Sequence, residues 1–369
     1  MTAPFRPTTA IVDLDAVRHN VRVLKPDGVE LMAVVKANAY GHGDVPVARA
    51  AVDAGAGWLG VALVEEGLGL REAGLRAPIL LLSELPAEAA GDAVAAGLTP
   101  TVYSEEVAAA VMAAADRTGR PRRVHVKVDT GMHRVGIAPE EAVGFARRLQ
   151  GRGAEIEGVW THFARSEEVD DPTTVEQLKR FREVLDALEG AGIRPRYRHA
   201  ANSGATIAWP ESHLDLVRVG VAMYGISPGP QLDGRADLRP AMSLRSRVTH
   251  VRRLPAGEAV SYGHRYRLDR DAWIATVPIG YADGYLRALS NVGRVLIGGA
   301  RRPVAGTVTM DHILVDCGDD TVAVDDEVVL IGRQGGQEIR AEEVAGWAGT
   351  IGYEIVCAVG PRVPREHRG

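Results

Sequence analysis

The most informative segment of the chain is Glu30-Leu31-Met32-Ala33-Val34-Val35-Lys36-Ala37-Asn38-Ala39-Tyr40-Gly41-His42-Gly43. Its apolar first half predicts a buried strand, and the Tyr, Gly and His residues after Lys36 indicate a loop. A lysine at the end of a buried strand is costly unless another group uses its amine. Burial lowers the pKa of an amine, which then forms a Schiff base more readily. The alternative is a lysine whose long side chain reaches solvent from the strand end.

Seven further apolar runs follow this strand and alternate with Ala-, Glu- and Arg-rich helical stretches. The eight strand candidates are residues 30–35, 58–63, 79–82, 99–102, 124–128, 158–161, 197–199 and 216–219. Ser104 is a predicted N-cap for a helix to residue 118, and Gly192 ends a helix over about 174–191. The alternation predicts a parallel (β/α)8 barrel of the TIM type. A doubly wound open sheet is the alternative, but its glycine fingerprint after the first strand is absent.

The pattern changes after Gly225, where a loop rich in Pro and Gly begins. Short alternating runs follow at residues 243–251, 273–278, 294–297, 302–308, 313–316 and 327–331, with Gly- and Asp-rich turns between them. These runs predict a mostly antiparallel C-terminal β domain.

Composition excludes several classes of function. The 369 residues carry a formal net charge of -5, which argues against a nucleic-acid-binding surface. The two cysteines, Cys317 and Cys357, are far apart, so neither a disulfide framework nor a metal site is expected. We find neither a signal peptide nor a membrane span in the sequence, so we expect a cytoplasmic protein without a membrane partner.

Polar residues follow the ends of five predicted strands. They are Lys36, the segment 129–134, His162, the pair Asn202 and Ser203, and Arg218. Because the C-terminal ends of barrel strands meet on one face, we expect these groups to form a single site.

Residues 33–43 (AVVKANAYGHG) resemble the pyridoxal phosphate (PLP) signature of alanine racemases, in which the lysine binds the cofactor covalently. Further blocks of that family recur in the same order, at 128–136 (VDTGMHRVG), 161–164 (THFA), 201–205 (ANSGA), 217–220 (VRVG), 261–263 (SYG), 280–285 (GYADGY), 310–311 (MD) and 352–354 (GYE). The resemblance implies a PLP-binding barrel over residues 11–230 and a β domain over 231–369. It also implies that residues 1–10 form a strand packed with the β domain.

The resemblance implies racemisation of alanine by two bases on opposite faces of PLP. Lys36 would act on the D-enantiomer and Tyr262 on the L-enantiomer, with His162 bridging the tyrosine to Arg218. Taken alone, a tyrosine such as Tyr262 is more often a half-buried strand residue, and a strand-end arginine is usually a surface ion pair. An arginine facing the pyridine nitrogen of PLP would leave that nitrogen unprotonated. PLP would then be a weaker electron sink, and side reactions such as transamination would be rarer.

The remaining roles are also implied by the resemblance. The cofactor-binding residues would be Tyr40, Asn202, Ser203, Gly220, Val221 and Tyr353, besides Lys36, His162 and Arg218. Ser203 is alternatively a helix cap. The substrate-binding residues would be Arg134, Met310, Asp311 and Tyr281. Lys127, inside an apolar run, would carry a carbamate or form a simple ion pair.

Tyr262, Tyr281, Met310 and Asp311 would reach the active site of a second subunit, so the resemblance implies a homodimer with shared sites. The chain departs from the family at Arg265, which could alter the substrate entryway, and at Thr309, where a cysteine is common. The implied role is supply of D-alanine for peptidoglycan. A broader serine racemase, a barrel-type decarboxylase and a non-catalytic PLP-carrier protein are the alternatives.

Overall fold

The computed structural model describes residues 5–369, so the first four residues of the predicted strand 1–10 lie outside it. The chain forms two compact units. The barrel unit comprises Val17–Ala39 and Asp44–Leu238, and the β unit comprises the described residues up to Ala16, Tyr40–Gly43 and Arg239–Gly369.

The eight predicted barrel strands are all present. After β1 (Thr9–Asp13), which belongs to the β unit, they are β2 (Glu30–Val34), β3 (Trp58–Val61), β4 (Ile79–Leu81), β5 (Thr101–Val102), β6 (Arg123–Lys127), β7 (Glu155–Trp160), β8 (Tyr197–His199) and β9 (Leu216–Val219). They run parallel in the orders β4-β3-β2-β9 and β5-β6-β7-β8. A parallel bridge from Leu80 to Thr99 joins the two sheets, and Arg218 N–H donates to the Ala201 carbonyl (3.0 Å) between β9 and the end of β8. The strands therefore form the expected barrel.

The strands are buried on both faces, as a barrel surrounded by helices requires. One core cluster inside the unit contains Met32, Trp58, Leu80, Tyr197 and Leu216.

The helices in this part of the chain are α1 (Leu14–Leu24), α2 (Lys36–Tyr40), α3 (Asp44–Asp53), α4 (Val64–Glu72), α5 (Ala90–Ala95), α6 (Glu105–Thr118), α7 (Ala142–Gly151), α8 (Thr173–Gly190) and α9 (Ser203–Ala208). Short 3₁₀ turns occur at Ala87–Ala89, Pro139–Glu141, Pro210–Ser212, Val221–Tyr224 and Pro230–Leu232.

The sequence signals at helix ends are confirmed for α6 and α8. The Ser104 hydroxyl accepts a hydrogen bond from the Val107 N–H (3.4 Å) at the start of α6. Helix α8 ends at Gly190, within two residues of the predicted Gly192.

The β unit is mostly antiparallel, as predicted. Its strands are β10 (Met242–Arg247), β11 (His250–Leu254), β12 (Ala259–Val260), β13 (Tyr266–Arg267), β14 (Ala272–Val277), β15 (Arg294–Ile297), β16 (Ala300–Pro303), β17 (Ile313–Gly318), β18 (Glu327–Gln334), β19 (Gln337–Ile339) and β20 (Arg365–Arg368). The largest sheet has the order β16-β15-β18-β10-β1-β20, with β19 on β18, beside the sheets β11-β14-β17 and β12-β13. Strand β1 lies between β10, antiparallel, and β20, parallel. The remaining elements are α10 (Ala341–Ala348), α11 (Gly352–Ala358) and 3₁₀ turns at Tyr262–His264, Tyr281–Asp283 and Arg287–Leu289.

The prediction of one strand over residues 243–251 is wrong. The run divides into β10 and β11, which belong to different sheets. Between them, the Val248 N–H donates to the Asp326 carbonyl and the Thr249 N–H to the Thr276 carbonyl, both at 2.9 Å. The chain changes partner at this point, and alternation of apolar residues carries no signal for such a change.

In the described part of the chain, every helix is too short or too polar to cross a lipid bilayer.

Gly158 in β7 is a tightly packed glycine inside the barrel. A Cβ at this position would lie 2.4 Å from Nδ1 and 2.5 Å from Cε1 of the His125 ring. We expect Gly158→Ala to reduce the free energy of unfolding by about 1–3 kcal/mol, because the ring must move or the strands must separate. Gly69→Ala in α4 is the control, since its Cβ would meet nothing within 4 Å, and it should be neutral or stabilising by up to about 1 kcal/mol. Equal urea midpoints for the two variants would contradict this packing.

Candidate active site

The site of the barrel unit is assembled from residues at the C-terminal ends of its strands. Lys36 follows β2, Lys127 ends β6, His162 follows β7, Ser203 follows β8 and Arg218 lies in β9. Burial lowers the pKa of His162, and the charges of Arg218, Lys127 and Lys36 lower it further, so these groups lie within electrostatic range of the imidazole. The structure thus brings the strand-end residues into one place, as expected for a barrel.

Arg218 lies at the centre of this cluster with 3% of its surface exposed. Its Nη2 donates to the carbonyl oxygens of Thr161 (2.8 Å) and Ala200 (2.9 Å), and its guanidinium lies 4.7 Å from the centroid of the Trp160 ring. Burial lowers the pKa of Arg218 to about 9, so the group remains a cation at neutral pH. The alternative of a surface ion pair is therefore wrong.

Two histidines accept hydrogen bonds from Arg218. Nη2 lies 3.2 Å from Nδ1 of His162, and Nη1 lies 3.1 Å from Nδ1 of His199. Because a guanidinium can only donate, neither Nδ1 atom carries a proton, and both rings have their proton on Nε2. Nη2 has two hydrogens for three acceptors, so its bond to His162 shares a hydrogen with one of the two carbonyls. Burial and the positive charge of Arg218 hold the pKa of both rings well below the usual value, so both are neutral.

Lys127 is almost fully buried and lies 4.3 Å from the centroid of the Trp160 ring. Burial, followed by the charges of Arg134 and Arg218, lowers its pKa to about 7. The neighbouring carboxylate of Asp129 accepts the backbone N–H groups of residues 131–133 instead. The simple ion pair for Lys127 is therefore not found within residues 5–369.

Ser203 holds together the turn in which β9 ends. Its Oγ accepts hydrogen bonds from the N–H groups of Gly220 (2.9 Å) and Ala222 (3.4 Å). Ser203 is not the helix cap, because that role belongs to Asn202, whose Oδ1 accepts the Ala205 N–H at 3.0 Å. Val221 begins the next 3₁₀ turn, where the first N–H groups have no acceptor within the helix.

The segment after Lys36 is not a simple loop but one turn of left-handed helix. Residues Ala37, Asn38, Ala39 and Tyr40 have φ of 52–54°, a region that costs about 1–2 kcal/mol for each residue with a Cβ. The Ala37 N–H donates to Glu66 Oε1 (2.6 Å), and the Asn38 side chain accepts the Asp44 N–H (3.1 Å). These bonds hold a strained turn directly beside the lysine, as is common at functional sites.

The other predicted site residues belong to the β unit. The rings of Tyr40 and Tyr353 lie with their centroids 6.3 Å apart, and burial raises the pKa of Tyr40, so its hydroxyl stays protonated. Three of the predicted site residues are instead exposed in this unit: 74% of Tyr262, 43% of Tyr281 and 52% of Met310. Exposed apolar groups of this size in neighbouring loops are typical of a surface that another chain covers.

Asp311 is held by residues for which the sequence suggested no role. Arg362 donates to Asp311 (2.7 Å) and also approaches the fully buried Asp283 (3.4 Å), which in turn pairs with Arg6 (2.6 Å). Asp283 lies within the 280–285 block, but Arg6 and Arg362 stand in no quoted block. The pairing of residues at opposite ends of the chain leaves no local signal.

The backbones of the two β-unit loops are also joined. The Tyr281 N–H donates to the Thr309 carbonyl (3.0 Å), and the Ala282 N–H to the Met310 carbonyl (3.1 Å). A Cβ on Gly280 would lie 2.2 Å from the Thr309 oxygen, so only glycine permits this approach. Tyr281, Met310 and Asp311 therefore form one rigid group. Within residues 5–369, no cluster of His, Cys, Asp and Glu is arranged to hold a metal ion.

Comparison with known proteins identifies the family. The alanine racemase N-terminal domain matches residues 12–228, and the alanine racemase C-terminal domain matches residues 241–367. An alanine racemase of Symbiobacterium thermophilum is 50% identical over 99% of this chain and 98% of the relative. One from Desulfovibrio desulfuricans is 46% identical over 98% of each.

Solved structures agree with these matches. An alanine racemase from a D-cycloserine-producing Streptomyces lavendulae superposes with a TM-score of 0.95 at 45% identity, covering 100% of this chain and 98% of that one. The Bacillus anthracis alanine racemase with bound L-Ala-P gives a TM-score of 0.93 at 41% identity, covering 100% and 96%. The chain therefore belongs to the alanine racemase family, a family of isomerases.

Proposed function

We propose that this protein interconverts L-alanine and D-alanine with PLP bound covalently through Lys36. The observation that carries the proposal is the neutral His162, held by Arg218 beside Lys36 at the mouth of the barrel. The names of the relatives give alanine as the substrate. The proposed domains are an N-terminal segment 1–10 that belongs with the β domain, the barrel 11–230 and the β domain 231–369.

The residues present fit PLP. The charges of Lys36, Lys127, Arg134 and Arg218 act together on His162, and such a concentration of cations suits a ligand with a phosphate and a phenolic oxygen. The phosphate would be held by the hydroxyls of Tyr40, Ser203 and Tyr353 and by the amide of Val221. The Gly220 amide already donates to Ser203 and would act through it, and Asn202 would orient Ser203 from its cap position.

When bound, PLP supplies the electron sink that makes the α-proton of the amino acid acidic enough for a side chain to remove. Lys36 would hold or return the proton on one face of the substrate, and the phenolic oxygen of Tyr262 on the other. A phenol is a poor base at neutral pH unless its anion is stabilised. His162 suits that task, because its proton is on Nε2 and is available to donate to the phenolate oxygen.

Arg218 would face the pyridine nitrogen as a donor that does not give up its proton. Its guanidinium is held in place by two backbone carbonyls and two imidazoles. A group that stays cationic leaves the ring nitrogen unprotonated, which favours return of the proton to the substrate over side reactions.

The substrate carboxylate would be bound by Arg134 and the Met310 N–H, beside Asp311 and Tyr281. The buried amine of Lys127 would carry a carbamate, whose negative charge would position Arg134. The lowered pKa of Lys127 supports this modification, because only a neutral amine reacts with carbon dioxide.

We also propose a homodimer in which Tyr262, Tyr281, Met310 and Asp311 complete the site of the second subunit. The exposure of the first three in the single chain supports this arrangement. In the cell the enzyme would act in the cytoplasm and supply D-alanine for peptidoglycan.

The proposed activity is tested by a chiral assay with a panel of L-amino acids and added PLP. We expect alanine to be the best substrate, and Lys36→Ala to lose both racemisation and the visible absorbance of bound PLP, because the covalent attachment is removed. The matched control is Lys179→Ala, a lysine on the helix α8, which should keep both. Preference for serine would favour the broader racemase, and bound PLP without turnover would favour the carrier protein.

The shared site is tested by mixing two inactive subunits. Lys36→Ala and Tyr262→Phe each remove one base, so each homodimer should lose racemisation. A mixed dimer combines one intact Lys36 with the intact Tyr262 of the other chain, so random exchange should restore about a quarter of the wild-type sites. Mixing Lys36→Ala with a chain carrying both substitutions is the control and should stay inactive. If the first mixture also stays inactive after exchange is demonstrated, or if Tyr262→Phe racemises normally, the shared two-base site is wrong.

The carbamate is tested by ¹³C NMR with labelled bicarbonate. We expect one carbamate signal that grows as the pH rises through about 7, because the neutral fraction of Lys127 increases there. Lys127→Arg should abolish the signal, whereas Lys179→Arg should leave it. A signal that survives Lys127→Arg would assign the modification to another amine.

A further inference from the structure

We propose that Glu157 and His125 are positioning residues for Arg218, acting through His199 in the racemisation proposed above. Neither residue lies in the strand-end cluster that would contact PLP. They act instead from inside the barrel, where they complete a chain of hydrogen-bonding groups that ends on Arg218. The inference rests on the proposed function for its consequences on turnover, but its geometry is independent of it.

The groups form a buried row, with hydrogen-bond distances at the first two of its three contacts. Arg218 Nη1 lies 3.1 Å from His199 Nδ1, His199 Nε2 lies 3.0 Å from His125 Nδ1, and His125 Nε2 lies 3.7 Å from Glu157 Oε2. Both histidines are completely buried, and Glu157 is 8% exposed. Buried polar groups aligned in this way are costly unless each proton has an acceptor.

Arg218 and Glu157, the groups at the two ends of this row, allow only one placement of the protons on the two imidazoles. Arg218 can only donate, so His199 accepts on Nδ1 and carries its proton on Nε2. That proton is donated to His125 Nδ1, so the proton of His125 is on Nε2 and faces Glu157. A carboxylate can only accept, which is the role this last position requires.

Both rings are neutral and Glu157 is charged. Burial lowers the pKa of His125, and burial with the charge of Arg218 lowers that of His199 still further. Burial alone would raise the pKa of Glu157, but His125 and the nearby cations Arg123 and Arg196 outweigh it and lower the pKa below its usual value.

The contact between His125 and Glu157 is electrostatic. At 3.7 Å it is longer than a normal hydrogen bond, and His125 Nε2 has no hydrogen-bond partner within residues 5–369. Nη1 of Arg123 lies 4.0 Å from the other Glu157 oxygen, while Nε of the same arginine pairs with Glu155 at 3.1 Å. Glu157 is therefore the anion beside the buried Nε2–H of His125, and it acts on that group through its charge and not through a hydrogen bond.

The row of His199, His125 and Glu157 is needed because the charge of Arg218 is buried. Within residues 5–369, Arg218 forms no ion pair with a carboxylate, and its partners are neutral oxygens and imidazole nitrogens. A buried cation is stabilised by dipoles aligned toward it and by an anion beyond them. The two imidazoles supply the dipoles, and Glu157 supplies the anion.

Packing fixes the ring planes while hydrogen bonds fix the protons. Trp160 stacks on His199 with centroids 5.7 Å apart and planes 9° from parallel, and Trp58 lies 5.3 Å from His125. Gly158 leaves just enough room for the His125 ring. If His125 loses its acceptor nitrogen, the proton of His199 can move to Nδ1, where it would oppose the N–H of Arg218. Arg218 would then lose an acceptor, and its orientation toward His162 would loosen.

Three variants separate the role of the His125 acceptor nitrogen from that of the Glu157 charge. His125→Phe keeps a ring but removes the acceptor, His125→Asn restores an acceptor near the Nδ1 position, and Glu157→Gln keeps the shape but removes the charge. The control is Ser246→Ala, which removes a buried hydrogen bond to Thr8 (2.8 Å) in the β unit. For each holoenzyme we would measure kcat and KM in both directions, the pH profile of kcat, the Kd for PLP and the thermal midpoint.

We expect His125→Phe and Glu157→Gln to lower kcat by about 10- to 100-fold, as for other residues that orient catalytic groups, with a shifted pH profile and little change in KM. His125→Asn should recover most of the loss. ¹⁵N NMR of labelled histidines should assign the Nε2–H form to His125, His162 and His199 in the wild type, and the His199 signal should change in His125→Phe. If His125→Phe does not fold, Glu157→Gln carries the test.

The proposal is overturned if the wild type racemises alanine but both variants match Ser246→Ala in kcat and pH profile. It is also overturned if His125→Asn is no better than His125→Phe, or if ¹⁵N NMR finds His199 protonated on Nδ1. A wild type that does not racemise alanine would refute the proposed function instead, and the ¹⁵N assignments would still decide the proton positions.

Discussion

The guanidinium of Arg218 is buried inside the barrel and can only donate hydrogen bonds, and this constraint organises the surrounding groups. It requires the Thr161 and Ala200 carbonyls to turn toward it, and it requires His162 and His199 to accept on Nδ1. The tautomer of His162, on which stabilisation of the proposed tyrosine base depends, follows from this one donor. A lysine at the same place would present fewer donors in a less rigid geometry.

The same region concentrates positive charge. Burial keeps His162 neutral, and the charges of Arg218, Lys127, Arg134 and Lys36 add to this effect. Burial, followed by the charges of Arg134 and Arg218, lowers the pKa of Lys127 to about 7. Such a concentration of like charge is unfavourable in the protein alone, but it matches a phosphorylated cofactor and a substrate carboxylate. The left-handed turn at residues 37–40 is a second unfavourable feature next to Lys36. Both are typical of sites where binding and reactivity, rather than stability, determine the residues.

The two units contribute different kinds of group. The barrel unit supplies buried, neutral or cationic residues held by strands. The β unit supplies Tyr262, Tyr281 and Met310, whose side chains are exposed although their loops are held by backbone hydrogen bonds. A rigid loop with exposed side chains suits groups that complete a site on another chain.

The eight barrel strands and the strand-end positions of Lys36, His162 and Arg218 could be predicted from the sequence, because local periodicity and cap residues report which segments are buried and where they end. Several features could not be predicted. Asn202, not Ser203, caps α9; Lys127 has no carboxylate partner within residues 5–369; and residues 243–251 divide between two sheets. His125 and His199, 74 residues apart, meet only because β6, β7 and β8 pair in one register. Local pattern thus specifies most of the elements and the order of the polar residues along the chain. Which buried donor meets which acceptor depends instead on strand register, because register brings together residues that are distant in the sequence.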